Sequence, residues 1–406
     1  MEDVSVVTSA TAATSSSEHA AAMAPYIAEG TKRASAAGNR GRLRLDKSGK
    51  LHPDILNAYN EKGFYIFEGV IGAEELDSLR ADVTNMIDRA PVQPGAEVDA
   101  KGRPAMGLDH AAEPYSFIKP LSDPFGGTGL LNGRHPVQMI QPEPEDDVPN
   151  DVLFLLRDIC QAMPACLRLY GHPQLLGIAE AVNGSDFVPY TEVIFVKQAG
   201  RGGAVSWHQD GVTHWQSPNW DLGIHGFNFQ VQLYDTTPAN GLWIVPGSHK
   251  LGHIDIKKRV EDNGGERLPD AIPLICAPGD VTIVNRQMLH GSFANTSVDQ
   301  RISITIGFHR RASVLGQRSA LAIEGGDIYD EQRIFERSAV IAVAIDARAQ
   351  YFPNETRYCY EPFVGLEEDY RWNDDTFERV IRNYSSRDLA IRLRKRQTPH
   401  PETMVF

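Results

Sequence analysis

Cysteine is scarce: four in 406 residues, at Cys160, Cys166, Cys276 and Cys359, with no Cys-x-x-Cys pair among them. So scattered a set builds neither a disulfide framework nor a cysteine-rich zinc site, and it suits a reducing compartment. Positive charge is also in deficit, with 40 Lys and Arg against 53 Asp and Glu and a formal net charge of -13. An acidic chain repels phosphate backbones and anionic bilayers, which sets nucleic-acid and membrane-surface partners aside. No apolar stretch reaches the ~18 residues of a membrane span. Met1-Glu2-Asp3 lacks the basic start and apolar run of a secretory leader, and Met404-Val405-Phe406 is no peroxisomal address. A cytoplasmic protein is expected. Internal repeats are absent too.

What is present is ordinary material for a core. Hydrophobic residues make up 42% and charged residues 23%, enough for one large domain with additions or for two domains. Residues 1–50, rich in Ser, Ala, Thr and Gly, read as a disordered or arm-like N-terminal segment. The main domain is expected over 51–311. It opens with the strand-like Gly63-Phe64-Tyr65-Ile66-Phe67 and a helix carrying Leu76, Leu79, Val83 and Ile87 on one face. Residues 91–150 are rich in Pro and Gly without a sustained period and read as a loop-rich insertion, either a substrate-covering lid or a segment packed on the scaffold. Helices are expected over 152–170, interrupted near Pro164, and over 174–182, stopped by Gly184.

From Tyr190 to His309 the texture changes to short strands between Gly/Pro turns, at 192–197, 227–234, 242–245, 280–284 and 301–308. Such a pattern suggests an antiparallel barrel or double-sheet roll. Residues 312–406 read as a helical C-terminal extension. Its stretch 338–352 is apolar on most faces and must pack against something, so a homodimer is one way to cover it. Shorter helices are expected at 376–383 and 388–396.

The chemistry concentrates in Ser206-Trp207-His208-Gln209-Asp210-Gly211. On an extended chain, residues two apart point to one side, so His208 and Asp210 can approach one metal ion together. A later histidine, His290, follows an apolar strand. Two imidazoles and a carboxylate on one face of an octahedron form the facial triad of non-haem iron(II) oxygenases. An H-x-D pair alone is common by chance and equally describes a surface His beside an Asp. Arg301 stands eleven residues beyond His290, and with Ser303 it alternates with Ile302 and Ile304 on one strand face. A guanidinium fork there suits the far carboxylate of 2-oxoglutarate, with the Ser303 hydroxyl as a further donor; a solvent-facing edge-strand Arg is the plainer alternative.

With these residues in order, the sequence resembles the phytanoyl-CoA dioxygenase-like branch of the iron(II)/2-oxoglutarate oxygenases over roughly residues 53–312. The resemblance rests on Glu61-Lys62-Gly63-Phe64-Tyr65-Ile66 followed by Glu74-Glu75-Leu76, then His172-Pro173, then Trp207-His208-Gln209-Asp210. Pro246-Gly247-Ser248-His249-Lys250, Gly279-Asp280, His290-Gly291-Ser292, Asn295 and Arg301-x-Ser303 complete it. It implies a mainly β fold with flanking helices around a double-stranded β-helix (jelly-roll/cupin-like) core, and makes 51–311 the oxygenase domain. By position it implies His208, Asp210 and His290 as metal ligands for Fe(II) and as the catalytic centre, and Arg301 with Ser303 as the 2-oxoglutarate anchor. Lys197 matches a basic residue that helps hold the co-substrate in some members, though it could equally cap a strand at the surface. The implied reaction consumes O2 and 2-oxoglutarate and releases succinate and CO2. The carboxylate at Asp210 favours hydroxylation, since related halogenases lack it; desaturation or ring formation stays open. The final ~95 residues lie outside the usual family core.

Other candidates surround this set. His214, Trp215, Trp220 and His225 crowd the stretch after Asp210, where they would contact substrate or plug the barrel mouth. Gln230 and Gln232 share a strand face, aimed at a ligand or at a cross-strand partner, and His309 lies on the Arg301/Ser303 parity. His249 and His253, four apart, follow a turn, which disfavours a helical metal site. The basic run at 392–396 reads as a solvated helix end or a contact with an acidic neighbour. Three functions are compatible: hydroxylation of a free small molecule, hydroxylation of an acyl-CoA, and non-catalytic binding on the same fold. No basic patch for CoA phosphates is evident near the pocket loops, and the intact triad argues against the last.

Overall fold

Runs of β-branched and aromatic residues pair into two sheets in a computed structural model that describes residues 14–110, 113–145, 147–210, 226–317 and 328–384. The strands are β1 (Arg40–Gly41), β2 (Phe64–Phe67), β3 (Tyr115–Ile118), β4 (Val152–Arg157), β5 (Val188–Lys197) and β6 (Val205–His208). They continue with β7 (Gly226–Gln232), β8 (Trp243–Ile244), β9 (Ile272–Pro273), β10 (Val281–Asn285), β11 (His290–Ser292) and β12 (Arg301–His309). Eight form one sheet in the order β1-β2-β10-β7-β12-β5-β4-β3, and four form a second in the order β6-β11-β8-β9. Apart from the parallel β1–β2 edge, the pairings are antiparallel.

The helices are α1 (Ser16–Ala37), α2 (Pro53–Lys62), α3 (Ala73–Asp88), α4 (Ile159–Ala162), α5 (Pro164–Tyr170), α6 (Pro173–Asn183), α7 (Ile256–Asp262), α8 (Glu331–Tyr351) and α9 (Asp374–Arg379). Helices pack on both sheets, α3, α5, α6 and α8 against the large one and α1 and α7 against the small one. Alternation along β12 explains the layering. Ile302, Ile304, Ile306 and Phe308 join a core with Leu79, Leu169, Leu176, Val340 and Val343 from α3, α5, α6 and α8. The opposite face carries Arg301, Ser303 and Thr305, and its cross-strand partners are Lys197 on β5 and Gln232 and Gln230 on β7. That polar face looks toward the small sheet, because Phe64, Ile66 and Val284 on the same side pack against Ile244 and Ile272.

Several expectations change. Residues 152–157 are strand β4, not helix, held between β3 and β5. A short apolar run such as Val-Leu-Phe-Leu-Leu carries no period that separates strand from buried helix, and only its neighbours decide. Residues 16–37, expected to be disordered or arm-like, form α1, closed by a Ser15/Glu18 capping box. Its Met23, Tyr26 and Ile27 pack with Trp243 and Phe293, Tyr26 stacking on Trp243 with ring centroids 4.5 Å apart. The segment 91–150 contributes β3 and a buried His135. Helix α8 finds its cover inside its own chain, so its apolar surface gives no reason to invoke a second subunit. The expected helix at 388–396 and the basic run at 392–396 lie outside the described residues. Among the described residues, no helix is long and apolar enough to cross a membrane.

Candidate metal centre

Strand β6 ends at His208 and β11 begins at His290, and these two residues are direct antiparallel partners. Asp210 follows two residues later. One ligand atom from each of His208, Asp210 and His290 lies within 4.8 Å of the others, and all three residues are buried. His208 Nε2 is 3.4 Å from Asp210 Oδ1, and His290 Nε2 is 3.8 Å from Asp210 Oδ2. Their tautomers follow from their other nitrogens. His208 Nδ1 is 2.8 Å from the Ser206 carbonyl and His290 Nδ1 is 2.8 Å from the Met288 carbonyl. A carbonyl only accepts, so each Nδ1 carries the proton and each Nε2 turns a bare lone pair toward Asp210. Gln209, between them, faces away and staples the neighbouring loops. It donates to the Gly252 and Gln287 carbonyls at 3.0 and 2.6 Å and accepts from the Ile254 amide at 2.9 Å.

Asp210 is strongly compensated. Arg134 Nη1 donates to Oδ1 at 2.9 Å, Asn228 Nδ2 donates to Oδ2 at 2.7 Å, and Arg286 Nη2 lies 3.9 Å from Oδ2. Burial works to raise its pKa, but Arg286 and Arg134 overcome it and hold the carboxyl well below the ordinary range. Burial, with His208 alongside, pushes the His290 imidazole down to about 3. His135 lies against His208 on the side away from His290, with ring centroids at 4.1 Å against 4.0 Å for the His208–His290 pair. Its Nε2 accepts from Arg134 Nε at 3.1 Å, and burial depresses its pKa as well.

The polar wall beyond holds two cations where sheets ordinarily avoid them. Lys197 and Arg301 are direct cross-strand partners and both are buried, an arrangement that like charges disfavour unless an anion joins them. Lys197 Nζ donates to Ser292 Oγ at 3.0 Å and Arg301 Nη1 donates to the Asn240 carbonyl at 3.1 Å. Burial, reinforced by Arg301, pushes Lys197 well below its usual range, and burial brings Arg301 down to about 10. Arg301 Nε and the hydroxyls of Ser303, Thr305 and Thr282 are buried without a partner. Four orphaned polar groups on one wall mark a place for an anion or ordered water.

A model of the phytanoyl-CoA dioxygenase family matches residues 59–303, more than half of the chain. The chain belongs to that family. It is similar to an L-proline trans-4-hydroxylase of Streptomyces griseoviridis, 28% identical over 172 residues that cover 36% of this chain and 63% of that protein. It is also similar to a phytanoyl-CoA dioxygenase of Arabidopsis thaliana, 23% identical over 266 residues that cover 63% of this chain and 87% of the relative. A match to phytanoyl-CoA dioxygenase 1 of Oryza sativa subsp. japonica, 31% identical, spans only 40% of that protein, so the chain covers less than two thirds of this relative and of the proline hydroxylase. Among solved structures it is similar to EctD from S. alaskensis with bound Fe, at 18% identity and a TM-score of 0.46, covering 68% of this chain and 85% of that one.

The residues present fit both an iron(II) ion and 2-oxoglutarate. An imidazole–imidazole–carboxylate set with bare Nε2 atoms suits iron(II). The orphaned donors beside Arg301 suit a dicarboxylate.

The other candidates sort by place. Ser303 sits beside Arg301 on the wall, and Gln232 is its cross-strand partner, with its carbonyl accepting from Thr236 Oγ1 at 3.0 Å. His309 is buried against Tyr190, ring centroids 4.8 Å apart. His249 turns its Nε2 to the Asn60 carbonyl at 3.1 Å, away from the centre. His214, Trp215, Trp220 and His225 lie outside the described residues. Arg134, His135, Asn228 and Arg286 were not expected. Asn228 was reachable, being the next step on the Gln232/Gln230 face; Arg134 and His135 come from a stretch with no period to follow.

Proposed function

We propose that this family member hydroxylates an unactivated C–H bond of a small organic molecule, with His208, Asp210 and His290 holding iron and Arg301, Ser303 and Lys197 holding 2-oxoglutarate. The observation that carries the reading is the coincidence of a buried His–Asp–His set with bare Nε2 atoms and a wall of buried, unpartnered donors on β12 and β10 of the facing sheet. Bound iron and 2-oxoglutarate together supply the reduction of O2, so that substrate, O2 and 2-oxoglutarate become alcohol, succinate and CO2.

The chain's own residues do the rest. The Ser206 and Met288 carbonyls orient the two imidazoles. Arg134 and Arg286 keep Asp210 ionised, so no proton has to leave when a cation arrives. The Arg301 fork and the Ser303 hydroxyl fix the far carboxylate of the co-substrate, and Lys197 adds positive charge beside it. Apart from Arg134, which is partly exposed, the side chains named are buried, and that limits water at the site. We read the eight- and four-stranded sheets as the two walls of a double-stranded β-helix. The names of two relatives, the proline hydroxylase and an ectoine dioxygenase of Halomonas elongata 27% identical over 164 residues, support a free small molecule as substrate. An acyl-CoA comes second, on the names of the rice and Arabidopsis relatives.

Anaerobic titration of the metal-free protein with iron(II) and 2-oxoglutarate tests this. A weak visible charge-transfer band is expected in the wild type and is expected to vanish in Asp210→Ala. A wild type without the band, or a variant that keeps it and turns over fully, would remove the metal assignment.

A further inference from the structure

Four rings form a tilted column that ends at the metal centre. Phe125 and His135 have centroids 5.2 Å apart, His135 and His208 4.1 Å, and His208 and His290 4.0 Å. Phe125 belongs to an apolar cluster with Phe154 and Val205, so the outer end of the column rests on packed core. His208 stands within the column, with an imidazole on either side. The Ser206 carbonyl holds its Nδ1 at 2.8 Å, but a single hydrogen bond leaves a ring free to swing about that contact. Two flanking rings remove the swing and aim the Nε2 lone pair in one direction. Of these two, His290 is a ligand candidate itself and His135 is not.

His135 has no lone pair to offer the metal. Arg134 Nε can only donate and lies 3.1 Å from His135 Nε2, so that nitrogen accepts and the proton sits on Nδ1. Nδ1 lies 3.2 Å from both the carbonyl and the hydroxyl oxygen of Ser206, the residue whose carbonyl also receives His208. The loop that brings His135 here is pinned on both sides of it. Asp123 accepts from the Gly126 amide at 3.0 Å and from the Met139 amide at 2.9 Å. Glu266 accepts from the Ile140 amide at 2.6 Å, and the Ser16 hydroxyl of α1 donates to the Glu143 carbonyl at 2.6 Å. His135 itself is fully buried. A ring held at so many points is a rigid stop.

We propose that His135 is a positioning residue for iron(II): the loop at 123–143 braces His208 through the His135 ring and so prepares the metal site before the ion arrives. The proposal rests on the assignment of His208, Asp210 and His290 to iron. It gives part of the 91–150 insertion a task at the metal, distinct from covering a substrate. An unbraced His208 has to be ordered by the incoming ion, and that ordering weakens metal binding.

The test is anaerobic titration of the metal-free full chain with iron(II) at saturating 2-oxoglutarate, read from the charge-transfer band, in the wild type, His135→Leu and His135→Phe. Leu fills the buried site without a ring, and Phe restores the ring without its hydrogen bonds. His135→Leu is expected to bind iron(II) roughly 10- to 100-fold more weakly, with its band displaced, while His135→Phe stays within about threefold of the wild type with the band in place. A smaller loss in the Leu variant, or an unmoved band, would overturn the proposal and leave the iron reading standing. So would a Phe variant as weak as the Leu variant. Circular dichroism shows which variants fold, and each folded variant decides by its own criterion. A wild type that shows no band would overturn the iron reading and this proposal with it.

Discussion

Arg301 combines a buried guanidinium, an unpartnered Nε and a like-charged cross-strand neighbour, a costly set of features for a residue that only holds the fold. Arg301→Ala is expected to raise the 2-oxoglutarate requirement roughly 10- to 100-fold, as the loss of a charge-assisted fork worth about 1.5–3 kcal/mol implies. The check is a 2-oxoglutarate titration of succinate release, and an unchanged requirement would take Arg301 out of the cleft. A second residue makes a pH prediction. Glu266 accepts from the Ile140 amide at 2.6 Å, while its own carbonyl receives the indole N–H of Trp207 at 2.7 Å, next to His208. Burial pushes its pKa from 4.5 up to about 7. Between those values the folded state keeps a proton that the unfolded state has lost, so stability falls as pH rises through that window and stays lowered above it. Glu266→Gln keeps the acceptor and removes the charge. The variant's advantage over the wild type is expected to grow by roughly 1–3 kcal/mol between pH 4.5 and 8, measured by urea unfolding; a constant difference would refute it. In the sequence, period two pairs His208 with Asp210 and Arg301 with Ser303, while His290 stood out as a later histidine after an apolar strand. Arg134 and Arg286 could not be picked out, since each reaches Asp210 from a segment without a repeating pattern.

At the scale of elements, α1 shows how a segment poor in large apolar residues still folds. Met23, Tyr26, Ile27, Gly30 and Ala34 recur at three and four, and a helix offering that stripe needs only a flat partner. Trp243 of β8 is that partner, and β8 pairs with the His290 strand, so α1 backs the sheet that carries two of the three metal-ligand candidates. A Cβ at Gly30 would fall on the Trp243 ring. Gly30→Val is therefore expected to destabilise the fold by about 1–3 kcal/mol through overpacking, read from the shift in urea midpoint. A change under a few tenths of a kcal/mol would mean that α1 is not anchored there. Composition pointed to disorder because it counts residues and not the face on which they gather. The helix expected over 152–157 failed for a related reason: a five-residue apolar run is compatible with strand and helix alike, and β3 and β5 settled it.

Across the whole molecule, the C-terminal extension is part of the core. Val340, Ile341, Val343 and Ala344 of α8, with Phe363 and Ile381 beyond it, close the outer face of the large sheet. Arg348 locks α8 to α3, donating to both oxygens of Glu75 at 2.6 and 3.0 Å and to Glu355 Oε1 at 2.9 Å. Its side chain is 4% exposed and that of Glu75 10%. Arg348→Met would strand a nearly buried carboxylate and is expected to cost about 3–5 kcal/mol. Glu75→Gln combined with Arg348→Met is expected to cost less than the sum of the single changes, a double-mutant cycle by chemical denaturation. Additive effects would show that the pair is not coupled.

The sequence by itself picked out the candidate set: two imidazoles and a carboxylate that the fold brings together, and a distal guanidinium on a strand of the facing sheet. It also determined which faces of the long strands are apolar, since alternation is a local property of the chain. Only the tertiary structure decided what surrounds Asp210, because Arg134, Asn228 and Arg286 lie 76, 18 and 76 residues from it, and charge compensation at a buried carboxylate depends on distance in space rather than along the chain. The same holds for the last segment, whose helix is ambiguous alone and becomes core once a sheet face needs covering.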